Sequence, residues 1–175
     1  MTLSLLKIVE STTVDGPGLR TTIYATGCSH RCPGCHNPQT WDIALGTPTD
    51  INQIADTILA NPFENVTFSG GDPLYQAEAF ALLAKTIKAR SNKTIWCYTG
   101  YTIESIIDNP RYMPLLENID VLVDGSYIDT LRDTTLLFRG SRNQRLIDIP
   151  ATLTQHTIIE FNPLANINRL LNPLP

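Results

Sequence analysis

The chain has 175 residues, of which 42% are apolar and 17% charged, and its net charge is −4. That balance fits one globular domain with a real core, and mild acidity without a basic run speaks against nucleic acid or an anionic membrane as partner. No apolar stretch approaches the roughly 20 residues of a membrane helix and no secretory pattern opens the chain, so a soluble, cytoplasmic protein with reduced thiols is expected.

In chain order, Leu19–Thr26 is rich in β-branched and aromatic residues and runs into Gly27-Cys28, which predicts a strand feeding a loop. That loop is Cys28-Ser29-His30-Arg31-Cys32-Pro33-Gly34-Cys35, a C-x3-C-x2-C segment holding three of the four cysteines. Pro48-Thr49-Asp50 opens a helix with Thr49 or Asp50 as N-cap and Ile51, Ile54 and Ile58 on one face. A short strand, Asn65–Ser69, ends in Gly70-Gly71-Asp72-Pro73. Ala77–Arg90 is helical, with Phe80, Leu83, Ala84 and Ile87 at i, i+3, i+4 and i+7. Thr94–Tyr98 is a strand broken by Thr99-Gly100, and Ile119–Asp124 is another broken by Gly125. Arg145–Ile149 and Thr157–Phe161 are further strand candidates, and the segment after Pro150 reads as irregular.

Strands alternating with helices imply a parallel sheet with right-handed crossovers. Ligands of such sheets gather at the carboxyl ends of the strands, and the cysteine loop, Gly70–Pro73, Thr99-Gly100 and Asp124-Gly125 all fall there. A closed eight-unit barrel takes about 250 residues. The expected fold is therefore α/β, an incomplete, open barrel of about five to six mainly parallel strands. Residues 1–149 form its domain, and 150–175 form a tail packed on or extending it.

Thiolates are soft ligands for iron–sulfur clusters, zinc and copper(I). A four-iron cluster normally takes four thiolates, so three on one loop leave an iron open to another ligand. Structural zinc is the competing reading, with His30 or His36 as the local fourth ligand. Gly70 and Gly71 let backbone approach a ligand, and Asp72 adds a carboxylate for an ammonium group. A plain strand-to-helix turn reads the same way. Asp124 is either a ligand or cation contact or an exposed turn residue. Cys97, mid-strand, reads as a buried inert thiol and His156 as structural. Arg139–Arg145 offers donors for carboxylate or ribose hydroxyls, or is a solvated loop.

Taken together, Val14–Arg20, Gly27–Pro38, Thr40–Asp42, Phe68–Leu74, Tyr98–Tyr101, Asp120–Gly125 and Phe138–Arg145 resemble the radical S-adenosylmethionine (SAM) superfamily, specifically its glycyl-radical-enzyme activases. Within these the chain is most similar to the branch acting on the anaerobic ribonucleoside-triphosphate reductase. The resemblance implies a partial barrel and a 4Fe–4S cluster on Cys28, Cys32 and Cys35, with SAM chelating the fourth iron. It also implies SAM contacts at Gly34, Cys35 and His36 along the nucleoside and at Gly70, Gly71 and Asp72 around the methionine amino end. Asp124 would lie near the methionine carboxylate or an accompanying monovalent cation. Implied partners are the glycine-bearing domain of the reductase and a flavodoxin-like or other low-potential electron donor, with no acid–base residue required. The chain departs from the family pattern in two respects: the tail Pro150–Pro175 has no counterpart in it, and the superfamily commonly carries an aromatic residue before the third cysteine. Here it is Gly34, which leaves the adenine to the backbone and to neighbours such as His36.

Overall fold

The computed structural model describes residues 1–164. Its strands are β1 (Thr2–Thr12), β2 (Arg20–Ala25), β3 (Thr47–Asp50), β4 (Asn65–Gly70), β5 (Ile95–Tyr98), β6 (Val121–Asp124) and β7 (Arg145–Asp148). Its helices are α1 (Ile51–Ala60), α2 (Ala77–Arg90), α3 (Ile103–Ile106), α4 (Met113–Leu116) and α5 (Ile149–Gln155). The strands make one seven-stranded sheet in the order β3-β1-β2-β4-β5-β6-β7, with β3 and β7 at its open edges.

The four central strands run parallel, as the alternating pattern predicts, while β1, β3 and β7 attach antiparallel. The outer pairings differ from expectation. β1 was not anticipated, and Thr47–Asp50 pairs with Thr2–Leu5 before α1 begins. Asp50 is the N-cap of α1, its carboxylate accepting from Asn52 N at 2.9 Å. Thr157–Phe161 contributes only a bridge from Glu160 to Ile147, and the residues after Pro150 start as helix α5. The rest of the expected tail lies outside the described residues.

Side-chain alternation along each strand divides the core between two faces. Val66, Phe68, Ile95, Cys97, Leu122 and Ile147 face α1 and α2, whose apolar stripes are Ile51, Ile54, Ile58 and Phe80, Leu83, Ile87. On the other face Trp96, Val121, Val123, Leu146 and Phe161 form a smaller cluster. Arg20 lies buried on that face, donating from Nε to Thr67 Oγ1 at 2.7 Å and from its terminal nitrogens to the Val66, Thr94 and Pro17 carbonyls. Its guanidinium sits 5.5 Å from the Trp96 ring, and burial pushes its pKa down to about 9, still cationic at neutral pH. Gly16, at φ +136°, lies against it, where a side chain would collide with Arg20 Cδ at 2.8 Å. The Asp15–Gly18 loop is thereby held against Arg20, which also donates to Pro17 O.

Candidate metal and cofactor site

Loops following β2, β4, β5 and β6, with the approach to β7, enclose a cavity of about 230 Å3. Cys28, Cys32, Cys35, Gly70, Gly71 and Asp72 all border it, as do His36, Thr99, Gly125 and Tyr127. The cysteine loop is braced rather than free. Gly27 N and Cys28 N donate to the Thr40 and Trp41 carbonyls at 2.8 and 3.0 Å, and Cys35 N closes a turn on Cys32 O at 3.1 Å. Gly34 takes a positive φ of 74° in this turn, a conformation that suits glycine.

All three loop thiols are free and half-buried, whereas Cys97 is fully buried, its pKa pushed well up by burial. Burial also raises the Cys28 thiol, and the His30 and Arg31 backbone N–H groups act against that rise. Asn37 N donates to Cys35 Sγ at 3.4 Å, which favours a thiolate and tunes a bound cluster. Among the described residues no three His, Cys, Asp or Glu side chains converge on one point to hold a single ion. A four-iron cluster places each cysteine on a different iron, so its thiols must surround a volume. Three soft donors bordering one cavity fit such a cluster.

The glycine turn is built by sterics. A side chain at Gly70, where φ is +100°, would meet Ala25 backbone atoms at 2.5 Å, and one at Gly71 would meet Gly27 O at 2.5 Å. Gly71 N and Asp72 N donate to Ala25 O and Gly27 O at 2.8 and 2.9 Å, so these N–H groups are not free for a carboxylate. The glycines hold the β4 turn directly beneath the cysteine loop.

Asp72 is 2% exposed, and its oxygens are engaged by protein. Oδ1 accepts from Leu74 N at 2.9 Å, Oδ2 from Gly100 N at 3.0 Å, and Thr99 Oγ1 lies 3.0 Å from both. His30 Nε2 approaches Oδ2 to 2.9 Å without a directed hydrogen bond, and its ring packs edge-on against Tyr101 at 4.6 Å. From sequence, Asp72 is expected to hold an ammonium group, and His30 is either a fourth zinc ligand or a plain loop residue. In the structure the pair ties the cysteine loop to the ends of β4 and β5. Asp72→Asn tests this: Leu74 N and Gly100 N are fixed donors on opposite oxygens, so either orientation of an amide sets NH2 against one of them. The expected cost is about 1–3 kcal/mol in denaturant unfolding of the apoprotein, and an unchanged midpoint would remove the tie from the account.

Asp124 does not border this cavity. It is 0% exposed and accepts from Ile103 N at 2.9 Å, from Arg145 Nε at 3.1 Å and from an Arg145 terminal nitrogen at 2.5 Å. Arg145 also forks onto both Glu104 oxygens at 2.9 and 2.8 Å. These hydrogen bonds hold the Glu104 carboxyl down to about 2 and raise the Arg145 guanidinium further. The cation beside Asp124 is a side chain of the chain itself. Its partner, Arg145, lies where the sequence offers either a donor cluster or a solvated loop and the start of a strand candidate, and only proximity in the fold identifies the pair.

A family described as a 4Fe-4S single cluster domain matches residues 14–147. The chain is similar to the anaerobic ribonucleoside-triphosphate reductase-activating protein of Escherichia coli strain K12, 37% identical over 75% of this chain and 89% of that protein. Its counterpart from enterobacteria phage T4 is 39% identical over 76% and 86%, and that from Haemophilus influenzae is 34% identical over 81% and 96%.

Proposed function

The chain belongs to the family of anaerobic ribonucleoside-triphosphate reductase-activating proteins, and on that premise we propose that it is a radical SAM activase of such a reductase. The observation that carries the reading is one cavity lined by three free thiols and by the glycine-rich ends of parallel strands. When bound, a 4Fe–4S cluster and SAM supply one-electron cleavage of the sulfonium to methionine and a 5′-deoxyadenosyl radical, which takes a hydrogen atom from a reductase glycine and leaves 5′-deoxyadenosine and a glycyl radical.

The chain's own residues bind and position. Cys28, Cys32 and Cys35 hold the cluster as thiolates, and Asn37 N–H steadies Cys35. Gly70 and Gly71 bring the β4 turn close enough for the methionine end to rest on backbone, while Asp72 keeps that turn and the cysteine loop in register. Gly34 and His36 lie along the nucleoside. Asp124 and Arg145 brace the adjoining wall. No acid–base residue takes part. The electron comes from a low-potential donor such as a flavodoxin-like protein, and the working compartment is the cytoplasm. Among the described residues no helix is long and apolar enough to cross a membrane.

The test is anaerobic reconstitution with iron and sulfide, then SAM and a reductant, assayed for methionine and 5′-deoxyadenosine. Addition of an anaerobic ribonucleotide reductase should then produce a glycyl doublet in electron paramagnetic resonance, absent when the reductase glycine is alanine. SAM cleavage without the doublet would remove the reductase as partner. A loaded cluster that never cleaves SAM would remove the activase reading itself.

A further inference from the structure

We infer that Tyr127 is the aromatic wall against which the nucleobase of SAM packs, an assignment that rests on the SAM reading above. The cysteine loop brings no ring immediately before Cys35, because residue 34 is glycine, and carries only the His36 imidazole after it. A ring arrives instead from the loop after β6. Tyr127 borders the cavity and is half-exposed, and its ring lies between two glycines of separate loops. A methyl group at Gly34 would meet Asp129 Oδ1 at 2.7 Å and stand 3.2 Å from the ring's Cε1, and one at Gly140 would stand 3.2 Å from both Cδ2 and Cε2. Both positions lack the side chain that would crowd the ring.

The ring is also held in orientation. Its hydroxyl donates to Asp129 Oδ1 at 2.9 Å, and the next residue, Ile128, donates from N to Ser141 Oγ at 3.2 Å. The His36 imidazole stands 5.5 Å away, tilted by 47°, and both residues border the cavity. A ring already fixed loses little rotamer freedom when a ligand arrives, and a planar base stacks on any accessible aromatic face. The other large rings here are committed elsewhere. Tyr98 donates its hydroxyl to Phe138 O at 2.8 Å, and His30 is packed between Tyr101 and Asp72. The ligand class is thus a nucleoside sulfonium whose purine lies on Tyr127 and whose amino-acid end lies toward the β4 turn.

A purely structural tyrosine would fill the same gap, so the test must see the base. Equilibrium binding of SAM and of methionine, which lacks the nucleoside, is measured on the reconstituted protein. Tyr127→Leu should weaken SAM about tenfold, the order expected for one lost stack, with methionine affinity and iron content unchanged. Tyr127→Phe keeps the ring and should keep most of the affinity. Gly140→Ala pushes a methyl onto the ring without touching the cluster loop and should weaken SAM in the same sense, which covers the case of a leucine variant that fails to fold. Wild-type affinity for SAM in Gly140→Ala and Tyr127→Leu overturns the assignment, as does an equal loss for SAM and methionine. A wild-type protein that binds no SAM at all overturns the underlying reading instead.

Discussion

Replacing Cys28, Cys32 or Cys35 singly with alanine is expected to abolish stable cluster loading, while Cys97→Ala loads one 4Fe–4S cluster per chain like the wild type. The first three thiols are half-buried on one cavity, and Cys97 is fully buried on the helix-facing side of β5. Two thiolates leave two irons without protein ligands, too few for a cluster that must also keep one iron open for SAM. Cys97→Ala loses only packing, at a cost of about 1 kcal/mol. Iron and sulfide analysis with visible absorption reads the outcome, and alkylation of the apoprotein gives a second measure. Three cysteines should be labelled and Cys97 protected, because its thiol is inaccessible and its pKa is raised. Loss of the cluster in Cys97→Ala with the fold intact would overturn the ligand set. Zinc without sulfide in the wild type would replace the cluster altogether.

Arg145→Met is expected to be among the most destabilising single changes on the molecule, at about 3–5 kcal/mol, because it strands a buried carboxylate. Asp124 is fully buried, and among the described residues Arg145 is its one charged hydrogen-bond partner, with Ile103 N as a further donor. Arg145→Met combined with Asp124→Asn should recover part of the loss, and a double-mutant cycle from denaturant unfolding measures the coupling. A loss below about 1 kcal/mol for Arg145→Met would mean that water or another cation replaces the guanidinium. The Glu104 arm of the fork predicts a smaller effect. Its folded pKa is depressed to about 2 from 4.5, so its stabilisation is present above the unfolded value and is lost as pH falls through that interval. Glu104 is mostly exposed, which limits the contribution to about 1 kcal/mol or less. Glu104→Gln should therefore flatten a shallow acid limb and change little at pH 7.

What local pattern carries well is visible in particular elements. α2 was legible to the residue, because Phe80, Leu83, Ala84 and Ile87 repeat with the helical period and all are buried. The four parallel strands were legible because each is a short run rich in β-branched or aromatic residues, ended by glycine or by a Thr-Gly or Asp-Gly break. β1 was not, since its 11 residues mix Ser4, Lys7 and Glu10 into the apolar run. Its identity as a strand comes from pairing with β2 on one side and β3 on the other. The antiparallel β7 was seen as a strand candidate, but its direction depends on partners distant in the chain.

By itself the sequence determined the chemistry that can be done here: three soft ligands at C-x3-C-x2-C spacing, glycines where strands end, and an apolar period that makes an α/β sheet. These are local properties, set by ligand type, backbone freedom and side-chain spacing within a few residues. Tertiary structure decided the job of each charged or aromatic residue. Asp72 finds Thr99 at a separation of 27 residues, Asp124 finds Arg145 at 21, and Gly34 finds the ring of Tyr127. A buried carboxylate is read by what neutralises it and a glycine by what occupies the space it leaves. Both are neighbours that only the folded chain brings into contact.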